Sequence, residues 1–162
     1  MKILIVSDTH RRDGNLTEVL EMEKPFDCLI HLGDAEGSED YIRELAECPV
    51  HIVCGNNDFF CDLPKEEEFM LGNYKVLITH GHYYYVSLDT QELRTQAEVR
   101  GVDIAMFGHT HRPLIEKSGG VMLINPGSLS YPRQAGRKPS YIVMEIDENG
   151  QADFTVHYLN HR

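Results

Sequence analysis

The stretch Lys2-Ile3-Leu4-Ile5-Val6-Ser7-Asp8-Thr9-His10 decides how the fold of this sequence is interpreted. Its first half is an aliphatic run rich in β-branched residues, which is typical of a buried strand. Asp8 and His10 follow where that strand is expected to end. The stretch therefore predicts a buried strand with polar side chains at its carboxyl end.

Strand-like and helix-like segments alternate through the first 54 residues. Leu16, Val19 and Leu20 recur at the spacing of one helix face, and Ser38 is a plausible N-cap for a second helix. The order strand, helix, strand, helix, strand indicates parallel βαβ units. The predicted strands are 2–7, 26–31 and 50–54, and the predicted helices are 16–22 and 38–47.

The pattern changes after Pro64. Two strands joined by Gly72-Asn73 are close enough in sequence to be antiparallel. One more helix is expected, with Asp89 and Glu92 as a capping box and Gly101 past its end. The further predicted strands are 67–71, 74–79, 104–107, 113–117, 121–124, 140–147 and 153–159, and the helix is 89–100. These elements predict an α/β architecture with two packed sheets flanked by helices, and 162 residues suit a single domain over 1–162.

Composition excludes several classes of function. The formal net charge is −11, which would repel a phosphate backbone, so extensive nucleic-acid binding is not expected. The apolar stretches are too short to span a membrane, and the N-terminus lacks the features of a secretory signal. The four cysteines show no Cys-x-x-Cys spacing, so we expect free thiols in a cytoplasmic protein without membrane contact. The sequence leaves open whether the chain forms a homo-oligomer.

Polar side chains of the kinds that bind metals follow most of the buried-looking strands. Carboxyl ends of strands in such sheets form crevices, so these side chains are expected to converge. A set of imidazole, carboxylate and amide groups suits Mn²⁺, Fe or Zn²⁺ better than a thiolate site or a Ca²⁺ cage. Seven ligands exceed the need of one ion, whereas two ions roughly 3.5–4 Å apart could share a carboxylate. The seven are Asp8, His10, Asp34, Asn56, His80, His109 and His111.

Five short blocks make the sequence resemble the calcineurin-like metallophosphoesterases, in particular their small YfcE-like phosphodiesterase branch. The resemblance runs from Ile3 to about Tyr141 and includes Asn125-Pro126-Gly127-Ser128. The five blocks are Asp8-Thr9-His10, Gly33-Asp34, Gly55-Asn56-Asn57-Asp58, Thr79-His80-Gly81-His82 and Gly108-His109-Thr110-His111.

The resemblance implies a metallophosphoesterase-type two-sheet β-sandwich flanked by helices, with four layers in the order αββα. It also implies that Asp34 bridges two divalent ions and that a hydroxide between them attacks a small phosphate diester in line. Mn²⁺ is the expected metal, with Zn²⁺, Fe²⁺, Ni²⁺ or Mg²⁺ as alternatives. One ion would be held by Asp8, His10 and His111, and the other by Asn56, His80 and His109.

Two positions depart from the pattern of the phosphoprotein phosphatases. Asn57 stands where that group keeps a histidine thought to protonate the leaving group, and asparagine has no proton to donate. Serine or threonine phosphates would then react slowly unless His82 or a metal-bound water supplies the proton. Gly37 stands where an acidic residue is expected. Both departures favour the phosphodiesterase branch.

Substrate contacts and rival functions remain open from sequence alone. Arg11 and Arg133 could clamp a phosphate bidentately, and a solvated surface is the alternative for both. Tyr83, Tyr84 and Tyr85 could stack on a nucleobase, although core packing is the simpler interpretation, since at least one of them should point inward from an extended segment. The rival functions are a non-catalytic interaction or scaffold module on the same fold, a phosphomonoesterase or protein phosphatase, and a nuclease. The complete ligand set argues against the non-catalytic module.

Overall fold

A computed structural model describes residues 1–160; His161 and Arg162, the end of the predicted 1–162 domain, lie outside the described residues. Strands and helices alternate at first, and strands predominate later, as the sequence predicts. The elements are β1 (Lys2–Val6), α1 (Gly14–Glu23), β2 (Cys28–His31), α2 (Glu39–Ala46), β3 (Val50–Ile52), β4 (Glu66–Leu71), β5 (Tyr74–Thr79), a 3₁₀ helix (His82–Tyr84), α3 (Gln91–Val99), β6 (Ile104–Met106), β7 (Pro113–Ser118), β8 (Val121–Pro126), β9 (Ser140–Ile146) and β10 (Ala152–Tyr158).

The first sheet has the order β10-β9-β1-β2-β3, with β1 at its centre. β1 pairs in parallel with β2, where Ile5 lies opposite Ile30, and antiparallel with β9, where Ile5 lies opposite Ile142. Residues 3–6 of β1 are fully buried. This is why its sequence is a continuous aliphatic run rather than an alternating one.

The second sheet has the order β4-β5-β6-β8-β7. Its inner strands β5, β6 and β8 are parallel, while β4–β5 and β7–β8 are antiparallel pairs. The close turn at Gly72-Asn73 joins β4 to β5, so the antiparallel pairing predicted there is confirmed.

Three apolar cores hold four layers together. One core lies between the sheets and includes Ile5, Ile30 and Ile78. A second covers the outer face of the first sheet with Leu16 of α1 and Ile42 of α2. The third packs α3 against the second sheet. The layers follow the order αββα, which confirms the predicted fold class.

The predicted ends of α3 and the form of the tyrosine segment need correction. Asp89 Oδ1 accepts the N–H of Gln91 at 3.0 Å, a local turn that delays the helix so that Thr90 holds the N-cap position. Glu92 accepts from Gln96 instead of closing a capping box. The tyrosine segment is not extended but forms the 3₁₀ helix, because Gly81 has a left-handed φ of 106° and turns the chain after β5.

The topology brings the carboxyl ends of the parallel strands in both sheets toward one edge of the sandwich. Loops after β1, β2 and β3 come from the first sheet, and loops after β5 and β6 come from the second. Among residues 1–160, no helix has the length and apolar character needed to cross a bilayer.

Candidate metal centre

The loops that follow five strands bring together all seven side chains singled out from the sequence. Their nitrogen and oxygen atoms face one another across a few ångströms, although the residues span more than 100 positions. Asp8 and His10 follow β1, Asp34 follows β2, Asn56 follows β3, His80 follows β5, and His109 and His111 follow β6.

Asp8 lies at the centre of one group of donor atoms. Its Oδ1 atom is 3.1 Å from His111 Nε2 and 3.6 Å from His10 Nε2. The same oxygen is 3.8 Å from His80 Nε2. Asp8, His10 and His111 thus offer three donor atoms within 4.8 Å of one another, a spacing that suits one metal ion.

Asp34 and Asn56 form the other side of the cluster. Asn56 Oδ1 is 2.9 Å from His80 Nε2 and 3.1 Å from His109 Nδ1. Asp34 Oδ2 is 3.3 Å from His80 Nε2 and 3.8 Å from His10 Nε2, so this carboxylate touches both groups. That position fits a bridging carboxylate. Asp8 also contacts both sides and belongs to a second three-donor group with Asp34 and His80.

The donor set fits a cation by its own chemistry. Asp8 Oδ1 is buried and has no hydrogen-bond partner among the described residues, which is costly for an ionised oxygen. The far ring nitrogens are anchored: His80 Nδ1 donates to the Leu32 carbonyl at 2.6 Å, and His111 Nδ1 donates to the Tyr131 carbonyl at 2.7 Å. These bonds fix each ring so that Nε2 points at Asp8, the arrangement of metal-binding histidines.

The electrostatics of the metal-free cluster show how strongly it attracts positive charge. Burial opposes ionisation of Asp8, yet the nearby imidazoles of His10, His111 and His80 hold its pKa well below the usual range. Burial opposes protonation of His80, yet Asp34 and Asp8 raise its pKa to about 9. In the metal-free cluster, protonated imidazoles therefore neutralise the negative charge of the carboxylates, a role that bound cations would otherwise fill.

The backbone at the cluster is unusual. Left-handed φ angles, uncommon outside glycine but enriched for Asp, Asn and His, tend to be retained where function requires them. Five of the seven candidate ligands adopt such angles: Asp8 (55°), His10 (48°), Asp34 (59°), His109 (70°) and His111 (59°).

Two glycines of the sequence blocks are required because neighbouring side chains lie too close to their backbone to leave room for a Cβ atom. A Cβ on Gly55 would lie 2.1 Å from Asp34 Oδ1. A Cβ on Gly108 would lie 2.1 Å from Ser7 Oγ and 2.7 Å from Asp8 Oδ2. Any side chain at these positions would push a carboxylate out of the cluster.

Asp58 and Asn57 hold Asp34 in place. The Asp58 carboxylate accepts backbone N–H groups of Asp34 (2.8 Å), Glu36 (2.6 Å) and Gly55 (2.7 Å), and so ties the loops after β2 and β3 together. Asn57 donates from its backbone N–H to Asp34 Oδ1 (2.9 Å) and from Nδ2 to Oδ2 (3.0 Å). Asn57 thus orients Asp34.

The other predicted site residues surround the cluster. His82 is half-buried beside His80 and His109, and burial together with their charge lowers its pKa to about 4. Arg11 lines a cleft with His10 and Asn57, and its Nε donates to the Glu36 carbonyl at 2.8 Å. Arg133 lines a second cleft with His10 and His111.

Sequence reasoning gave no specific role to Ser7, Ser128 or Tyr131, which support the cluster. Ser7 Oγ donates to Asp8 Oδ2, and Ser128 Oγ donates to the Asp8 carbonyl at 2.7 Å. The Asn125–Ser128 block pointed to this region, and Asn125 Nδ2 indeed donates to the Gly108 carbonyl at 3.1 Å. Tyr131 had no signal, because it acts through its carbonyl oxygen, which any residue offers.

Comparison with known proteins gives a consistent result. A family model of the calcineurin-like phosphoesterase superfamily domain matches residues 1–149. YsnB, a probable metallophosphoesterase of Bacillus subtilis, is 35% identical over 92% of this chain and 86% of its own length. A phosphodiesterase of Methanocaldococcus jannaschii is 31% identical over 78% of this chain and 83% of its own length. A conserved uncharacterised Streptococcus pneumoniae protein, described as a predicted phosphoesterase, superposes with a TM-score of 0.80 at 27% identity, covering 96% of this chain and 97% of that one.

Proposed function

This chain belongs to the calcineurin-like phosphoesterase superfamily, and we propose that it is a divalent-metal-dependent phosphodiesterase acting on a small phosphate diester. The observation that carries the proposal is the Asp8 oxygen that lacks a hydrogen-bond donor and is surrounded by imidazole nitrogens of His10, His80 and His111. The similarity to a phosphodiesterase from Methanocaldococcus jannaschii supports the diester as the substrate class.

We propose that the seven clustered side chains hold two ions, with Mn²⁺ as the first candidate. Asp8, His10 and His111 would hold one, and Asn56, His80 and His109 the other, with Asp34 between them. Bound ions of this kind activate water and neutralise charge on a phosphoryl group. Oxygen and nitrogen donors without thiolate suit Mn²⁺ and its neighbours in the first transition row.

The chain's own residues favour diesters over protein phosphomonoesters. The Asn57 side-chain amide donates a hydrogen bond to Asp34 and cannot act as a general acid toward a leaving group. His82 has a pKa of about 4 and is therefore neutral near pH 7, which makes it a poor general acid for protonating a leaving group. A substrate whose leaving group needs no proton from these two positions fits best: an aryl diester, or an alkyl diester whose leaving group would take its proton from a water at the metal site.

A small, soluble substrate and a cytoplasmic location complete the proposal. Two ions would create a local positive site in a chain of net charge −11, which suits a small anion better than a long nucleic acid. The four cysteines are free thiols in the structure, a state typical of a reducing compartment.

The proposal is tested by removing metal from the protein and adding back Mn²⁺, Mg²⁺, Zn²⁺ or Ni²⁺ singly. Hydrolysis of a bis-aryl phosphate is measured beside that of the matching mono-aryl phosphate. We expect metal-dependent turnover that is highest with Mn²⁺ and higher for the diester. A preference for the monoester would favour the phosphatase alternative instead.

Two variants make the test specific. His80→Ala removes a donor shared by both sides of the cluster and is expected to abolish turnover. His157→Ala, on β10 and stacked on Tyr141, removes a histidine remote from the cluster and serves as the matched control. Bound metal without turnover on either ester would support the non-catalytic module.

A further inference from the structure

The arginines of this acidic chain are unevenly distributed. Three of its nine arginines, Arg112, Arg133 and Arg137, line one cleft of 750 Å³. The candidate metal ligands His10 and His111 line the same cleft. A molecule bound at the metal centre would therefore extend directly toward three guanidinium groups.

These three guanidinium groups differ from most arginines elsewhere in the fold, although Arg12, which lies over the Tyr131 ring, also forms neither a salt bridge nor a hydrogen bond through its side chain within residues 1–160. Arg100 pairs with Glu66 at 2.9 Å, and Arg94 donates to Ser118 at 2.9 Å. Within residues 1–160, the side chains of Arg112, Arg133 and Arg137 form neither a salt bridge nor a hydrogen bond. Three unpaired like charges around one cleft repel one another, and a bound anion relieves that repulsion.

Backbone bonds set these arginines at fixed points relative to the metal centre. Arg112 directly follows His111, and the N–H of Arg133 donates to the His111 carbonyl at 3.0 Å. The N–H of Arg137 donates to the Gln134 carbonyl at 3.0 Å, which closes a turn on the same loop. The main chain is thus bonded while the guanidinium groups stay available for a ligand.

Glu36 is the acidic residue among the described residues that line this cleft. Its carboxylate lies 3.6 Å from His10 Nδ1 and so faces the candidate ligand. The three arginines outweigh it, so the side chains that line the cleft carry a net positive charge. A neighbouring cleft of 440 Å³ shares Arg112 and Arg133 and has apolar walls that include Val86, Phe107 and Leu114.

We propose that Arg112, Arg133 and Arg137 form a subsite for a second phosphate group, so that the substrate is a diester carrying an additional phosphate. The apolar cleft beside the subsite suits a flat ring such as a nucleobase, which makes a phosphorylated dinucleotide the first model substrate. Planar guanidinium groups bind phosphate oxygens in pairs, which ammonium groups do not. The statement that the substrate is a diester rests on the proposed phosphodiesterase function. The statement that the three arginines bind a phosphate group does not.

The catalytic arm compares a 5′-phosphorylated thymidine dinucleotide with the same dinucleotide lacking its 5′-phosphate. We expect a kcat/KM ratio of about ten or more in favour of the phosphorylated form, which falls toward one in Arg112→Ala and Arg133→Ala. Arg133→Lys is expected to recover only part of the ratio. Lys117→Ala removes one exposed positive charge from β7, outside the cleft, and is the matched control.

The binding arm uses metal-free protein and needs no turnover. Thymidine 3′,5′-bisphosphate is titrated by calorimetry into the wild type, Arg112→Ala, Arg137→Ala and Lys117→Ala. We expect Kd to rise about tenfold in each arginine variant and to stay unchanged in Lys117→Ala. Equal binding by all four proteins would overturn the subsite.

The two arms separate the possible failures. Hydrolysis of a bis-aryl phosphate with a dinucleotide ratio near one would leave the phosphodiesterase standing and overturn the subsite. Absence of all turnover, together with arginine-dependent binding of the bisphosphate, would overturn the proposed function and keep the subsite. A dinucleoside triphosphate, tested beside the dinucleotide, shows whether the second phosphate is a terminal ester or part of an anhydride chain.

Discussion

Two walls of opposite charge, each formed by two loops, flank the candidate metal centre. The Asp58 wall, residues 33–37 and 55–61, contains Asp34, Glu36 and Asp58 but no lysine or arginine. The arginine wall, residues 108–112 and 131–137, contains three arginines but no aspartate or glutamate. Each wall supplies candidate metal ligands, so the two walls differ in what else their charges do.

The charges of the Asp58 wall are used within the protein. Asp58 accepts three backbone N–H groups, and both oxygens of Asp34 accept from Asn57. In the arginine wall, the fixed bonds are made by the main chain, and the side chains of residues 112, 133 and 137 have no protein partner within residues 1–160. One wall therefore uses its charges to position candidate metal ligands, whereas the other leaves its guanidinium groups free for a ligand.

Replacing Asp34 tests the Asp58 wall most severely. In Asp34→Asn, one negative charge between the two donor groups is lost, and we expect binding of both ions to fail. Turnover is expected to fall to the level of metal-free protein. Elemental analysis of the purified variant measures the bound metal, and two ions per chain would refute Asp34 as the bridge.

Replacing Asp58 tests whether positioning alone matters. Asp58→Asn keeps the shape of a side chain that touches no candidate ligand side chain, but it removes the ionised acceptor of three N–H groups. We expect the free energy of unfolding to decrease by about 2 kcal/mol. Catalytic turnover should fall by about 10–100-fold, as for groups that orient metal ligands.

Asp62→Asn is the matched control, since Asp62 is exposed and follows the same loop. Chemical denaturation and bis-aryl phosphate turnover are measured on both variants. Equal values for Asp58→Asn and Asp62→Asn would show that the wall does not depend on this carboxylate.

The elements of the fold were largely predictable because local signals agree with tertiary packing. The buried run of β1, the i, i+3, i+4 spacing of α1 and the turn at Gly72-Asn73 each determine one element and its neighbours. The start of α3 was wrong by two residues, because the Asp89 side chain satisfies a backbone N–H in a turn before the helix. Such competition between side chain and helix is not visible in residue patterns.

The candidate ligands were predictable by type and position, but their surroundings were not. His31 and His80 are both fully buried and both lie near strand ends. His31 bonds Thr9 Oγ1 at 2.9 Å and the Gly33 N–H at 3.2 Å, and burial lowers its pKa to about 4. His80 faces carboxylates instead. The apolar run around His31 already favours a core role for it, but its bond to Thr9 joins residues distant in sequence. The arginine wall is likewise formed by two loops that lie apart in the chain.

The pH dependence of the stability of the metal-free protein reports on the carboxylates of Asp34 and Asp8 that face His80. Its pKa of about 9 exceeds the ordinary 6.5, so protonation stabilises the fold fully below pH 6.5, and that contribution is lost as pH rises toward 9. His10, whose pKa is also raised, adds in the same direction, while the lowered pKa values of His31, His82 and His109 act below pH 6.5.

We therefore expect the Tm of metal-free protein to fall between pH 6.5 and 8.5, by roughly 2–4 °C for each kcal/mol of lost stability. Metal-loaded protein should lack this decline, because bound ions hold the imidazoles neutral. His80→Asn should retain only the smaller slope from His10. Thermal melts at four pH values with and without Mn²⁺ provide the measurement, and a flat metal-free profile would contradict the charge balance inferred for the cluster.

The smallest expected change is a gain of activity at Asn57, a residue of the Asp58 wall. Asn57→His supplies an imidazole that can donate a proton but removes the Nδ2 bond to Asp34 at 3.0 Å. Hydrolysis of an alkyl monoester is expected to rise by roughly tenfold relative to a bis-aryl diester, since proton donation matters most for a poor leaving group. The ratio of the two rates cancels any loss of metal caused by the missing bond. Asn57→Ala, which removes the bond without adding a proton donor, is the control, and an equal ratio in both variants would place leaving-group protonation elsewhere in the cleft.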